Sequence, residues 1–244
     1  MKTKYNYAVI FILLITAAGL TQQTLQEEQD FRFAVQLENK ELYDIAALQF
    51  ERFAELYPNS TQAPEALFRA GQNYGRADSL SKAANAYLAV LLRYPQSTVV
   101  DGAQFNQAQL LLDNKEFLKA AVAFDRLKIL ASKSSLIPEA QIEAAHAYLK
   151  GGDIQKAYDA ALYFLENFPT HPMRLQAYEA IADVHAHKGD YMAAIQSLDR
   201  ILADRVQDDF AATIYTKKSR MLQKLGRYTQ ADSVLLKLVR GNYG

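Results

Sequence analysis

Cysteine is absent from all 244 residues, which removes disulfides, thiolate nucleophiles, cysteine-ligated zinc or iron–sulfur sites, and lipid attachment through a cysteine. Tryptophan is missing as well, and glycine (10) and proline (6) are too sparse for a turn-rich β architecture. No charge of one sign predominates. Lys+Arg and Asp+Glu number 27 each, so the formal net charge is zero and no basic excess exists to hold nucleic acid. What is abundant is Ala (38) and Leu (31), in a chain that is 50% hydrophobic and 22% charged. That mix favours packed helices and is neither that of a disordered chain nor that of a polytopic membrane protein. The length accommodates one domain or two small ones.

The N-terminus reads as a targeting segment. Lys2 and Lys4 precede the unbroken apolar run of residues 8–15, and the small residues of Thr16-Ala17-Ala18-Gly19 follow. A positive start, a short apolar stretch and a small-residue end are the three parts of a secretory signal, here residues 1–19. The run is too short to cross ~30 Å of hydrocarbon, which takes about 20 residues. An uncleaved anchor is the alternative, and the one membrane attachment expected. Leu20 stands where the lipidated cysteine of a bacterial lipobox would be, so lipidation is excluded. Removal of Lys2 and Lys4 with the signal leaves 25 basic against 27 acidic side chains. The expected compartment is periplasmic or otherwise extracytoplasmic.

The remainder is one unit repeated. With a shift of 37 residues, Glu41, Asp78, Lys115, Gly152, Gly189 and Gly226 fall into one series that marks a turn. Five residues on stand Ala46, Ala83, Ala120, Ala157, Ala194 and Ala231, and upstream the small series Ala34, Gly71, Ala108, Ala145, Ala182 and Ser219. Phe50, Tyr87, Phe124, Ala161, Leu198 and Leu235 form a further series. The units run approximately 24–60, 61–97, 98–134, 135–171, 172–208 and 209–244, leaving no room for a second domain. Each unit carries two stripes at helical spacing. Leu67, Ala70, Gly71, Tyr74 and Ala77 form one; Leu80, Ala83, Ala84, Tyr87, Val90 and Leu91 form the other. Between the stripes, Ser79, Asp153 and Asp190 occupy one position suited to capping the second helix. All six prolines lie between units, with Pro64-Glu65 and Pro138-Glu139 read as the first turns of helices with proline at the first position. The fold expected is all-α, a solenoid of six antiparallel helix pairs.

The order small residue, Tyr, turn, Ala, aromatic, Pro resembles the tetratricopeptide repeat (TPR). Ala34/Leu37/Ala46/Phe50/Pro58 and Gly71/Tyr74/Ala83/Tyr87/Pro95 carry it best. The resemblance covers residues ~24–244 and implies a right-handed solenoid, its usual 34-residue period lengthened to 37 in the segment between units. The linkers Tyr57-Pro58-Asn59-Ser60, Tyr94-Pro95-Gln96-Ser97 and Phe168-Pro169-Thr170-His171 resemble those of bacterial envelope TPR proteins, such as the Tol-Pal periplasmic protein and the outer-membrane β-barrel assembly lipoprotein. The chain differs from the lipoprotein in lacking the lipobox cysteine, and from the Tol-Pal protein in lacking an N-terminal coiled-coil region.

Chemistry is thinly represented. Asp183, His185 and His187 are close in sequence, but on a helix Asp183 and His187 share a face while His185 falls in the core series of Tyr74 and Tyr148. No metal site and no cofactor is therefore expected. Neither a Gly-x-Ser-x-Gly nor a His-Glu-x-x-His motif occurs, and Gly151-Gly152 is a helix–helix turn. An enzyme is not expected. The TPR resemblance implies that the first helix of each unit lines a concave groove. Carried over by position, its candidate partner-binding residues are Phe31, Phe68, Gln72, Arg76, Phe105, Gln109, Asp113, His146 and Lys150. In the series Phe31, Phe68, Phe105, Ile142 the rings are either exposed anchors for a peptide or packing groups between helices. The lysine and asparagine of the family's clamp for chaperone C-termini are missing at Phe68 and Gln72. The function expected is a non-catalytic extracytoplasmic scaffold binding a protein or peptide partner. A structural subunit of an envelope-assembly machine is the alternative, and a small-ligand or polysaccharide binder a more distant one. Amino-terminal sequencing of the exported protein is expected to give a mature chain starting near Leu20; an intact Met1 on cytoplasmic protein would overturn the signal assignment.

Overall fold

The computed structural model describes residues 24–204 and 208–240; the segment expected to be a signal lies outside the described residues. Twelve helices and no strand occur among the described residues. They are α1 (24–39), α2 (Tyr43–Leu56), α3 (Ala63–Arg76), α4 (Leu80–Arg93), α5 (Val100–Asp113) and α6 (Phe117–Leu130), followed by α7 (Ile137–Lys150), α8 (Ile154–Asn167), α9 (Arg174–His187), α10 (Tyr191–Leu202), α11 (Asp208–Lys224) and α12 (Tyr228–Arg240). From α2 to α9 every helix has 14 residues, and a three-residue turn within each pair plus six residues between pairs complete the period. The fold is an all-α solenoid of six helix pairs. It divides into two compact units, residues 1–103 and 104–244, with the division inside α5. The 37-residue register runs straight through that point, so no change in the sequence pattern marks it.

The turn inside each pair is built the same way six times. Glu41, Asp78, Lys115, Gly152, Gly189 and Gly226 all adopt positive φ, from 58° to 84°. The residue after each donates its backbone N–H to the carbonyl five residues back, as in Ser79 to Tyr74 and Asp153 to Tyr148. The left-handed residue itself donates to the carbonyl three back, as in Asp78 to Gly75 and Gly152 to Leu149. These two bonds are the Schellman motif, which satisfies carbonyls at a helix end that would otherwise lack partners. The next residue starts the second helix at once. Asp153 and Asp190 cap α8 and α10, accepting at 3.1 Å from the amides of Lys156 and Ala193. Ser79 does not cap α4 as expected; its hydroxyl donates instead to Asp44 at 3.3 Å, a charged and therefore stronger acceptor. Pro64 and Pro138 sit one residue further into α3 and α7 than expected, at the second helical position. Its amide also has no partner inside the helix, so no hydrogen bond is lost.

Small residues let the helices of a pair approach closely. Ala34, Gly71, Ala108, Ala145, Ala182 and Ser219 are buried, and so are the six alanines of the series from Ala46 to Ala231. In the first unit α3 packs against α2 and α4; in the second each helix from α6 to α12 packs against its neighbours in sequence, and α7 also meets α9. Gly71 shows how tight the crossing is. A Cβ added there would lie 2.5 Å from the Tyr87 ring, whereas the repeats on either side combine Ala34 with Phe50 and Ala108 with Phe124. Alanine is the better helix former by about 1 kcal/mol. Gly71→Ala is nonetheless expected to destabilise by about 1–3 kcal/mol in denaturant unfolding, because the ring must be displaced. Adding Tyr87→Phe, the neighbouring repeats' combination, should recover part of the loss.

Candidate protein-binding surface

The first helix of each pair uses three faces of its surface. One closes on the second helix through the small residues described above. Another carries the aromatic series. In the first unit, Phe31 is half-buried and meets Phe50 and Phe53 edge-to-face, with ring centroids 5.5 and 5.2 Å apart. Phe68 lies 5.9 Å from Tyr87, and its ring tip abuts Gly102. In the second unit, Phe105 meets Phe124 at 5.2 Å. Ile142 is fully buried; Ala161 offers no ring at the fourth repeat, and Ile142 packs with Phe164 instead. Each of these side chains thus stacks on the second helix of its own pair, and Phe31, Phe68 and Phe105 are half-buried.

The third face is polar. Gln72 is half-buried, and its amide pairs with no other described residue. Arg76 is exposed, reaching Glu38 at 3.5 Å while its guanidinium lies 5.5 Å over the Tyr43 ring. Gln109 donates to Asp113 at 3.1 Å, both on α5. His146 is half-buried, and the exposed Lys150 places its ammonium 5.9 Å from the Phe117 ring centroid. The histidine cluster is dispersed: His185 stacks on Tyr158 at 5.9 Å, and His187 Nδ1 is 3.1 Å from the Asp183 carbonyl. Among the described residues no group of three or more His, Asp or Glu side chains gathers to hold a metal ion.

Two charged clusters on this face escaped the sequence reading. In the first unit Glu38 is nearly buried and accepts from Asn73 at 2.9 Å while pairing with Arg69 at 3.3 Å. In the second, Lys217 lies between Glu179 at 2.7 Å and Asp183 at 2.8 Å. Burial alone would depress the Lys217 ammonium, but the hydrogen bonds to Asp183 and Glu179 outweigh it and raise its pKa above the ordinary 10.5. Arg69 and Lys217 occupy the same repeat position, four periods apart, and each binds acids of the preceding first helix. Opposite charges about one period apart are the signal that could have found them.

Residues 101–178 match the profile of an outer membrane lipoprotein family, and residues 65–97 match a tetratricopeptide-repeat profile. No curated protein sequence matches the chain. Among solved structures, a TPR protein from Parabacteroides merdae superposes with a TM-score of 0.65 at 15% identity, over 88% of this chain and 79% of that one. MamA gives 0.63 at 16% identity, over 74% and 92%. YrrB, described as a TPR protein with an unusual peptide-binding site, gives 0.55 at 17%, over 71% and 84%. At such identities the likeness is one of fold. The chain has the tetratricopeptide-repeat solenoid fold, and over residues 65–97 and 101–178 it is similar to a tetratricopeptide-repeat family and an outer membrane lipoprotein family.

Replacing Lys217 by Met leaves two partly buried carboxylates facing each other, with an expected loss of about 1–2 kcal/mol near neutral pH. Because the folded-state pKa of Lys217 is raised, its contribution is fully present below pH 10.5 and disappears as the pH climbs through the folded value. Melting curves of wild type and Lys217→Met should therefore converge in strong alkali.

Proposed function

We propose that this chain is a non-catalytic interaction scaffold of the cell envelope, holding a protein or peptide partner on the polar face of its first helices. One observation carries this reading: the aromatic series is spent largely on packing, while Gln72, Arg76, Gln109, Asp113, His146 and Lys150 stay at least partly accessible at equivalent places of successive pairs. A repeated scaffold with a constant core and variable polar positions suits recognition of an extended or helical segment, with the side chains supplying directional bonds. Phe31, Phe68 and Phe105 contribute apolar contact. TPR scaffolds are in general non-catalytic, and YrrB is an instance with a peptide-binding site. Export rests on the Lys2/Lys4 and 8–15 pattern, and the lipoprotein-family match over residues 101–178 supports an envelope location. No helix among the described residues is long and apolar enough to cross a membrane.

The same family match favours a second reading, a structural subunit of an outer-membrane assembly machine. Capture from envelope extract separates the two: one stoichiometric complex supports the subunit, several partners the scaffold. Two variants then test the surface. Gln72→Glu with Lys150→Glu should weaken capture at least about tenfold (~1.4 kcal/mol) without altering the melting temperature. Phe68→Ala with Phe105→Ala should lower melting, since both rings stack on second helices, and weaken capture further. Undiminished capture by both folded variants would remove this face as the binding site.

A further inference from the structure

A cleft between the second helices α6 and α8, floored by Tyr148 of α7, departs from the arrangement at the equivalent Tyr74. Tyr74 in α3 and Tyr148 in α7 stand two periods apart, with only 2% and 4% of their surface exposed. Around Tyr74 the arrangement is closed: its hydroxyl donates to Glu51 Oε2 at 2.6 Å, and Lys82 Nζ lies 5.2 Å over its ring. Two periods on, Asp125, Tyr148 and Lys156 replace Glu51, Tyr74 and Lys82, with Lys156 Nζ 5.5 Å over the Tyr148 ring. Asp125 is one methylene shorter than Glu51 and is held by Lys128, so the Tyr148 hydroxyl hydrogen-bonds to no described residue. It lines a cleft of about 620 Å³ between α6 and α8, within the size range of ligand sites. Burial, then Asp125 and Asp153, push the Tyr148 hydroxyl up to about 12, so it is a neutral phenol at physiological pH.

The charges of the cleft are unbalanced. Lys128 pairs with Asp125, and Lys156 with Asp153 at 3.4 Å. That leaves the lining carboxylates Asp159 and Glu166 without a cation; Asp159 accepts only from the neutral Gln155 amide, at 2.8 Å. At the matching positions of α4 stand Asn85 and Leu92, so these charges are not required by the repeat. We propose that the α6–α8 cleft receives an arginine side chain of a partner peptide, its guanidinium donating to Asp159 or Glu166 and to the Tyr148 oxygen. Guanidinium suits the place because it is planar, weakly hydrated and offers five donors to carboxylate and phenol acceptors. This site is lined by the second helices α6 and α8 with Tyr148 of α7 at its floor, and it uses none of the first-helix residues proposed above.

The test is titration of the isotope-labelled full chain with acetyl-Gly-Arg-Gly-amide, followed by amide shifts. Saturable shifts confined to α6, α7 and α8, with a Kd of about 1 mM or tighter, are expected. The citrulline counterpart, isosteric but neutral, should not bind. Asp159→Asn with Glu166→Gln should weaken binding at least about tenfold, and Tyr148→Phe about threefold or more, with unchanged melting; Glu51→Gln, outside the cleft, should have no effect. Asn85 at the matching position indicates that the Asp159→Asn chain folds. Equal binding of the citrulline peptide, shifts mapping to other helices, no saturation, or wild-type affinity in the double variant would each overturn the assignment.

Discussion

Everything in this molecule depends on one left-handed residue every 37 positions. The three-residue turn reverses the chain only because that residue adopts positive φ, which lets the next amide reach back to the carbonyl five residues earlier. The following residue is already the cap of the second helix, so the angular phase between the two helices is set by backbone hydrogen bonds alone. The last three turns use glycine, where this conformation is free. The first three use Glu41, Asp78 and Lys115, at a cost of roughly 1–2 kcal/mol each. Helix pairing on either side offsets that cost.

Once the turn sets the phase, the crossing point of each pair is set as well, and only small side chains fit there. The alanine series and Gly71 follow from this, and so does the division of labour on the first helices. Rings at Phe31, Phe68 and Phe105 fill the space beside the crossing, while the remaining face is released for polar groups. Two ion pairs between helices also follow the repeat: Arg69 and Lys217, at one position four periods apart, each reach acids on the preceding first helix. These ion pairs join successive repeats, whereas the alanines close the two helices of one repeat on each other.

A constant backbone with changing side chains gives such a chain its functional range. Tyr74 and Tyr148 each carry a lysine above the ring, yet the Tyr74 hydroxyl donates to a glutamate, whereas that of Tyr148 lines a cleft beside an aspartate held by Lys128. A difference of one methylene, together with Asp159 and Glu166 in place of Asn85 and Leu92, gives the two equivalent tyrosines different partners and different charges around them. Partner recognition in the scaffold reading works in the same manner, by substitution at positions that the core does not use.

The sequence by itself determined the repeat, its period, the helix pairs, the turn positions and the buried alanines, because each of these depends on local spacing that recurs six times. The polar positions of the first helices came from the TPR resemblance, carried over position by position. The sequence did not reveal that Ser79 bonds Asp44 instead of capping α4, nor that the division into two units falls inside α5, since neither interrupts the 37-residue pattern. Whether the phenylalanines are anchors or packing groups was open in the sequence: a ring at a repeat position has the same letter whether it faces solvent or a neighbouring ring. The Lys217 and Glu38 clusters and the open hydroxyl of Tyr148 are likewise decided by distances between helices far apart in the chain. Such distances depend on side-chain length at the ångström level, and only the packed tertiary structure sets them.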